Sequence, residues 1–165
     1  YHELAHVVAG QLGDPPALFD EGFAVYVSER LGAPALRYLG HADAKVDEAV
    51  CRMASRNELL PLSQLFRFTE IGSTASRSGV SYPESASIVK YLIEAKGLDQ
   101  FREIYRTLKR SDAPDQIRRN GAAFGRIMGV PLEALESSWQ RALPCRGSWP
   151  PPQDYRTRKT KVALE

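Results

Sequence analysis

The chain has 165 residues, 43% of them hydrophobic and 25% charged, and a formal net charge of +2. That length suits one domain with a real core, the composition is that of an ordinary globular protein, and the near-balanced charge singles out no acidic or basic partner. No apolar run reaches the length of a membrane span.

The predicted elements are almost all helical. Apolar and histidine positions at His2, Ala5, His6, Ala9 and Leu12 fit a helix from residue 2 to about 12, stopped by Gly13-Asp14-Pro15-Pro16. A second helix fits Ala17 to about Leu31, ending at Gly32 and Pro34. A third fits about Asp43 to Arg56, with Val46, Val50 and Met53 on one face. The stretch LLPLSQLFRF reads as a turn and a brief helix, and TEIGSTASRSGV, residues 69 to 80, as an exposed loop.

Ser81-Tyr82-Pro83-Glu84 fits a capping box, with Ser81 as N-cap, Glu84 at N3 and Pro83 in the first turn. The helix that follows runs through Ile88, Val89, Leu92 and Ile93 to Gly97. The next, from about Leu98 to Arg110, buries Phe101, Ile104, Tyr105 and Leu108. Pro114 opens a short helix, Ala122 to Met128 forms another, and Pro131 opens the last, aligning Leu132, Leu135, Trp139 and Leu143. The glycines of the two GxxxG spacings, Gly121, Gly125 and Gly129, read as helix ends. No strand pattern is found, so the fold class is mainly α, with a domain over 1–143 and a Pro-rich basic tail over 144–165. After Cys145 the tail carries five positive charges interrupted by Asp154 and Glu165. It reads as a solvated linker and not as a nucleic-acid site. Cys51 and Cys145 form no CxxC, which excludes a cysteine zinc cluster and a thioredoxin-like motif. A disulfide between them and two separate thiols both remain open.

The chemistry lies at the start. YHELAHVVAG contains His-Glu-x-x-His at residues 2 to 6. On a helix, His2 and His6 lie one turn apart on one face, where both imidazoles reach one metal ion. Glu3 beside them can deprotonate a metal-bound water without ligating the metal. A catalytic zinc wants a third protein ligand and an open position. The candidate is Glu21 in ALFDEGFAVYVSE, brought opposite the histidines if the second helix folds back, with Gly22 leaving room for close approach of the two helices. Asp20 is the neighbouring alternative. His41, the third histidine, reads as a surface residue.

The run HELAHVVAG…DPPALFDEGFAVYVSE resembles the gluzincin metallopeptidases, in particular the small peptidase MA-like domains of bacteria. These pair HExxH with a downstream Pro-x-x-x-x-Glu-Gly-x-Ala-x-Tyr signature, matched here by Pro16, Glu21, Gly22, Ala24 and Tyr26. The likeness continues through LPLSQL, SYPESASIVKYLIEAKG and GVPLEALESSWQRAL, to about residue 143. It implies a zincin-like fold, Zn2+ held by His2, His6 and Glu21, Glu3 as general base, and Tyr82 as hydrogen-bond donor to the oxyanion of the tetrahedral intermediate. It further implies hydrolysis of a peptide or protein substrate. Many such relatives are exported or tethered to the bacterial envelope, with which a Cys51–Cys145 disulfide is compatible. Substrate specificity and oligomeric state are left open.

Two departures stand out. Leu18-Phe19 occupies the stretch where the family often has tryptophan, a swap of apolar bulk. Val25 stands where some gluzincins place an acidic residue that orients a zinc histidine, so that partner is unidentified. In gluzincins a β-sheet precedes the HExxH helix and pairs with the extended substrate. The expectation is therefore the helical half of a catalytic domain, with the sheet missing, His2 and Glu3 in a frayed first turn, weak zinc binding and poor cleavage. The other function class is a metallopeptidase-like binding or scaffold module without catalysis.

Overall fold

The computed structural model describes residues 1–41 and 44–145. Asp43, at the expected start of the third helix, and the basic tail after Cys145 lie outside that range. All regular structure among the described residues is helical: α1 (His2–Ala9), α2 (Ala17–Arg30), α3 (Val46–Ser55), α4 (Leu62–Leu65), α5 (Ser78–Lys96), α6 (Leu98–Thr107), α7 (Pro114–Met128) and α8 (Leu132–Ala142). None of the described helices is long and apolar enough to cross a membrane.

Helices α2 and α5 form the centre, and their sequences show it. Buried positions surround α2 (Ala17, Leu18, Phe19, Gly22, Ala24, Val25 and Ser28) instead of lining one stripe, the mark of a helix covered on several sides. Gly22 makes their contact. A Cβ there would stand 2.6 Å from the Ser85 carbonyl oxygen and 2.9 Å from Val89 Cγ2. The close approach Gly22 permits is thus with α5, and not with α1 as the sequence suggested. α1 packs on α2, α3 and α6 on α5, α7 on α6, and α8 against α4, α5 and α7. Phe19, Phe66 and Phe124 meet pairwise at centroid distances of 6.0 to 6.2 Å in the core. Trp139 is buried, and its indole N–H donates to Ser87 Oγ at 3.0 Å. Cys51 and Cys145 form a disulfide that ties α3 to the chain after α8, which settles that alternative.

α1 is helical from His2, with the Ala5 amide donating to the Tyr1 carbonyl at 2.9 Å, though no side chain caps it. It ends at Ala9, short of Leu12, because the Leu12 amide turns back to the Ala9 carbonyl in a tighter i→i+3 bond. Its inner face buries Ala5 and Ala9, while Leu4, Val7 and Val8 on its outer face are 60%, 66% and 62% exposed.

Three expectations fail, wholly or in part. Residues 69 to 80 are an exposed loop only in part: Glu70, Gly72, Thr74, Ala75 and Arg77 are exposed, but Ile71 is fully buried, and the buried Ser76 hydroxyl donates to the carbonyls of Ile71 and Ser73. The chain there is a folded strap. Nor does the capping box form. α5 begins four residues earlier, at Ser78, after Arg77 in the left-handed region (φ 51°). Pro83 consequently sits inside the helix, where it cannot donate to the Gly79 carbonyl. His41 fills that vacancy, its Nε2 lying 3.0 Å from Gly79 O, so this histidine is a half-buried helix partner and no mere surface residue. Finally, α7 is one helix where two were expected. Its buried face, Asn120, Ala123, Phe124 and Met128, keeps helical spacing across Gly121 and Gly125, and only Gly129 (φ 68°) marks a helix end.

Glu84, the supposed capping residue, is fully buried and accepts the Leu60 amide at 3.0 Å. Glu136 accepts the Leu62 amide at 3.1 Å, so two carboxylates hold the turn around Pro61. Burial pushes the Glu84 carboxyl well above the usual range; the Leu60 amide pulls it down and the neighbouring Glu136 charge pushes it up again.

Two outcomes follow from this packing. Gly22→Ala is expected to destabilise by about 1–3 kcal/mol, since the added methyl meets backbone that cannot yield; thermal or urea denaturation checks it. For Glu84, the folded state binds the proton more tightly than the unfolded chain, so its contribution falls as pH rises above about 4.5. Denaturation of Glu84→Gln and the parent between pH 4 and 8 should therefore show the difference moving in the variant's favour as pH rises.

Candidate metal centre

The site is built by α1 lying across the first turns of α2. Because α1 places residues i and i+4 on one face, His2 and His6 both look onto α2, and Glu21 looks back. His2 Nε2 and His6 Nε2 are 3.2 Å apart, and Glu21 Oε2 lies 3.2 Å from the first and 3.4 Å from the second. Ligands about 2.05 Å from a tetrahedral zinc stand about 3.3 Å apart, so this triangle has the dimensions of one face of such a site. Among the described residues it is the one His/Cys/Asp/Glu group with metal-ligand spacing.

The fit is also visible in what the triangle lacks. Glu21 Oε2 is buried and receives no hydrogen bond. His6 Nδ1 lies 2.9 Å from Asp20 Oδ1, which draws the proton of a neutral imidazole onto Nδ1 and leaves a lone pair on Nε2. Three ligand atoms of half-buried residues thus face one another, and a cation at the centre would turn all three into ligands.

Asp20 therefore has its own role. The sequence offered it as an alternative ligand and left a partner for the histidines unidentified; in the structure Asp20 lies outside the triangle and against His6 Nδ1. Tyr105 Oη donates to Asp20 Oδ1 at 2.5 Å, and Arg110 Nη2 to Asp20 Oδ2 at 2.6 Å. Burial pushes the Asp20 carboxyl up, yet the hydrogen bonds from Tyr105, His6 and Arg110 outweigh it and hold the carboxyl below its ordinary value. Tyr105 is pushed up by burial and by Asp20, and stays a donor.

Glu3 is exposed on α1 and stands outside the converging triangle. Tyr82 comes from α5, with its ring 6.3 Å from that of His2. Burial first, then the Glu21 carboxylate and the Glu3 charge, push its hydroxyl up to about 12, so it is protonated at neutral pH. Gly72 of the strap faces it: a Cβ at residue 72 would lie 3.8 Å from the Tyr82 hydroxyl oxygen.

Sequence reasoning thus named the three converging residues and Tyr82, and missed Tyr105 and Arg110. Tyr105 carried a signal, read only as core, and its hydroxyl had to find a partner on burial. Arg110 carried none, being 90 residues from Asp20. No protein-family model, curated protein or solved structure matches this chain.

Glu21→Gln should separate metal binding from fold. In metal-free protein the amide relieves the crowded carboxylate, so the melting temperature should hold or rise. The increase in melting temperature on adding zinc, which follows RT ln(1 + [L]/Kd), should largely vanish. Thermal scans with zinc and with a chelator check both.

Proposed function

We propose that this chain carries a zinc-dependent hydrolytic centre of the gluzincin type, with His2, His6 and Glu21 as ligands and a peptide or protein as substrate. The observation that carries the reading is the triangle of Nε2, Nε2 and Oε2 with edges of 3.2, 3.2 and 3.4 Å around a carboxylate oxygen that no donor satisfies. Bound there, zinc would supply Lewis-acid polarisation of a carbonyl and lower the pKa of water. Glu3, one residue after the first histidine on α1, would serve as the general base that accepts a proton and delivers it to the departing amine. The Tyr82 hydroxyl, kept protonated beside Glu21, donates to the oxygen on which negative charge develops.

The zincin-like assignment of the fold belongs to the same proposal. It is supported by α1 showing an apolar outer face, Leu4, Val7 and Val8, of the kind that marks a contact surface. In a zincin-like fold such a face would carry a β-sheet that aligns an extended substrate. The Cys51–Cys145 disulfide suits an exported or envelope protein.

Zinc per chain, measured by elemental analysis after reconstitution, should approach one in the parent and near zero in His6→Ala. Glu3→Gln should keep the zinc and lose hydrolysis of a fluorogenic protein substrate by orders of magnitude. Absence of zinc from the reconstituted parent sinks the proposal. Zinc retained with no hydrolysis, in the parent or a chain extended at its N-terminus, would make this a metallopeptidase-like binding module.

A further inference from the structure

Arg110 lies just after α6 and reaches three separate segments. Its Nε donates to Asp14 Oδ1 at 2.6 Å, its Nη1 to the Thr69 carbonyl at 2.8 Å and its Nη2 to Asp20 Oδ2 at 2.6 Å. Its backbone amide donates to the Asp14 carbonyl at 2.8 Å. One planar guanidinium thus fastens the α1–α2 turn, the start of the strap and the carboxylate that holds His6. The arms differ in setting: the Asp14 side chain is 69% exposed and that of Asp20 17%.

Resting on the zinc-site reading above, we infer that Arg110 is a positioning residue for that site, acting through Asp20 to hold His6 with its proton on Nδ1 and its Nε2 lone pair toward the metal. The geometry leaves little else for this arm to do. Asp20 Oδ1 already receives Tyr105 Oη and His6 Nδ1, and Arg110 Nη2 engages the other oxygen. A carboxylate held at both oxygens cannot rotate. Freed of Arg110, it can turn, share Oδ1 less well with His6, or swing toward the cluster as a competing ligand. The Thr69 arm extends the same control to the strap, whose Gly72 faces the Tyr82 hydroxyl. Lysine could not replace it, because an ammonium on a flexible stem cannot span three acceptors in one plane.

The test uses the full chain, with Arg110→Ala, and Asp14→Ala as control because it cuts the exposed arm and spares Asp20. Long-range 15N spectra of the metal-free protein report the His6 tautomer, and zinc affinity is read by competition with a chromophoric chelator. Arg110→Ala should move His6 from pure Nδ1–H toward a mixture with Nε2–H, and weaken zinc about tenfold, the lower end for lost outer contacts of a metal ligand. Asp14→Ala should leave the tautomer unchanged and affinity within about twofold, as for an exposed pair. If Arg110→Ala does not fold, Arg110→Lys carries the same test with the same expected direction. A folded Arg110 variant that keeps the parent's tautomer or zinc affinity overturns the inference, as does Asp14→Ala matching Arg110→Ala in both. A parent that binds no zinc defeats the proposed function alone, and the tautomer then decides the role of Arg110.

Discussion

Three consecutive residues of α2 organise this molecule. Asp20, Glu21 and Gly22 project about 100° apart around the helix, and each meets a different neighbour. Asp20 takes hydrogen bonds from His6, Tyr105 and Arg110. Glu21 turns to the two histidines of α1. Gly22 lies flat against Ser85 and Val89 of α5. The tight contact at Gly22 fixes how α2 lies on α5, and only with that fixed do the two carboxylates point where they do. A side chain there would part the central helices and carry Glu21 away from Tyr82, the group α5 contributes to the site.

Among the described residues three buried side-chain atoms lack a hydrogen-bond partner, Glu21 Oε2, Glu84 Oε1 and Ser85 Oγ, and of these Glu21 Oε2 alone faces other metal-ligating atoms. Arg110 has every arm engaged, Tyr105 has its acceptor, and Asp20 has three donors. Against that background Glu21 Oε2 receives no hydrogen bond, with two imidazole nitrogens 3.2 and 3.4 Å away. A protein without a use for the cluster could relieve it with a glutamine. The outer residues lend the triangle rigidity, since an imidazole whose far nitrogen is held by a carboxylate presents the near one in a fixed direction.

Proline and glutamate in α5 show how tertiary structure overrules a local signal. Ser81-Tyr82-Pro83-Glu84 has the residue types of a capping box, yet Glu84 is worth more holding the Leu60 amide inside the core than closing a helix end in solvent. Once α5 starts at Ser78, Pro83 leaves the Gly79 carbonyl without its helical partner, and His41 supplies a donor 38 residues away. The strap before α5 is likewise polar by composition and buried at Ile71. Its carbonyls meet the Ser76 hydroxyl and Arg110, partners that composition cannot announce.

The helical class, the approximate extent of α2, α3, α6 and α8, and the placing of His2 and His6 on one face with Glu21 as their candidate partner were legible in the residues alone. These rest on local rules: helical periodicity, breakers at Pro and Gly, and an i, i+4 histidine pair whose geometry any helix reproduces. Folding settled that Gly22 packs on α5, that Asp20 lies against His6 Nδ1 and outside the triangle, that Cys51 and Cys145 are joined, and that Arg110 reaches Asp20. Those outcomes depend on which surfaces meet at distances of tens of residues along the chain. The choice there lies between burying a polar group with partners and leaving it in water, and no neighbouring residue records which partner will arrive.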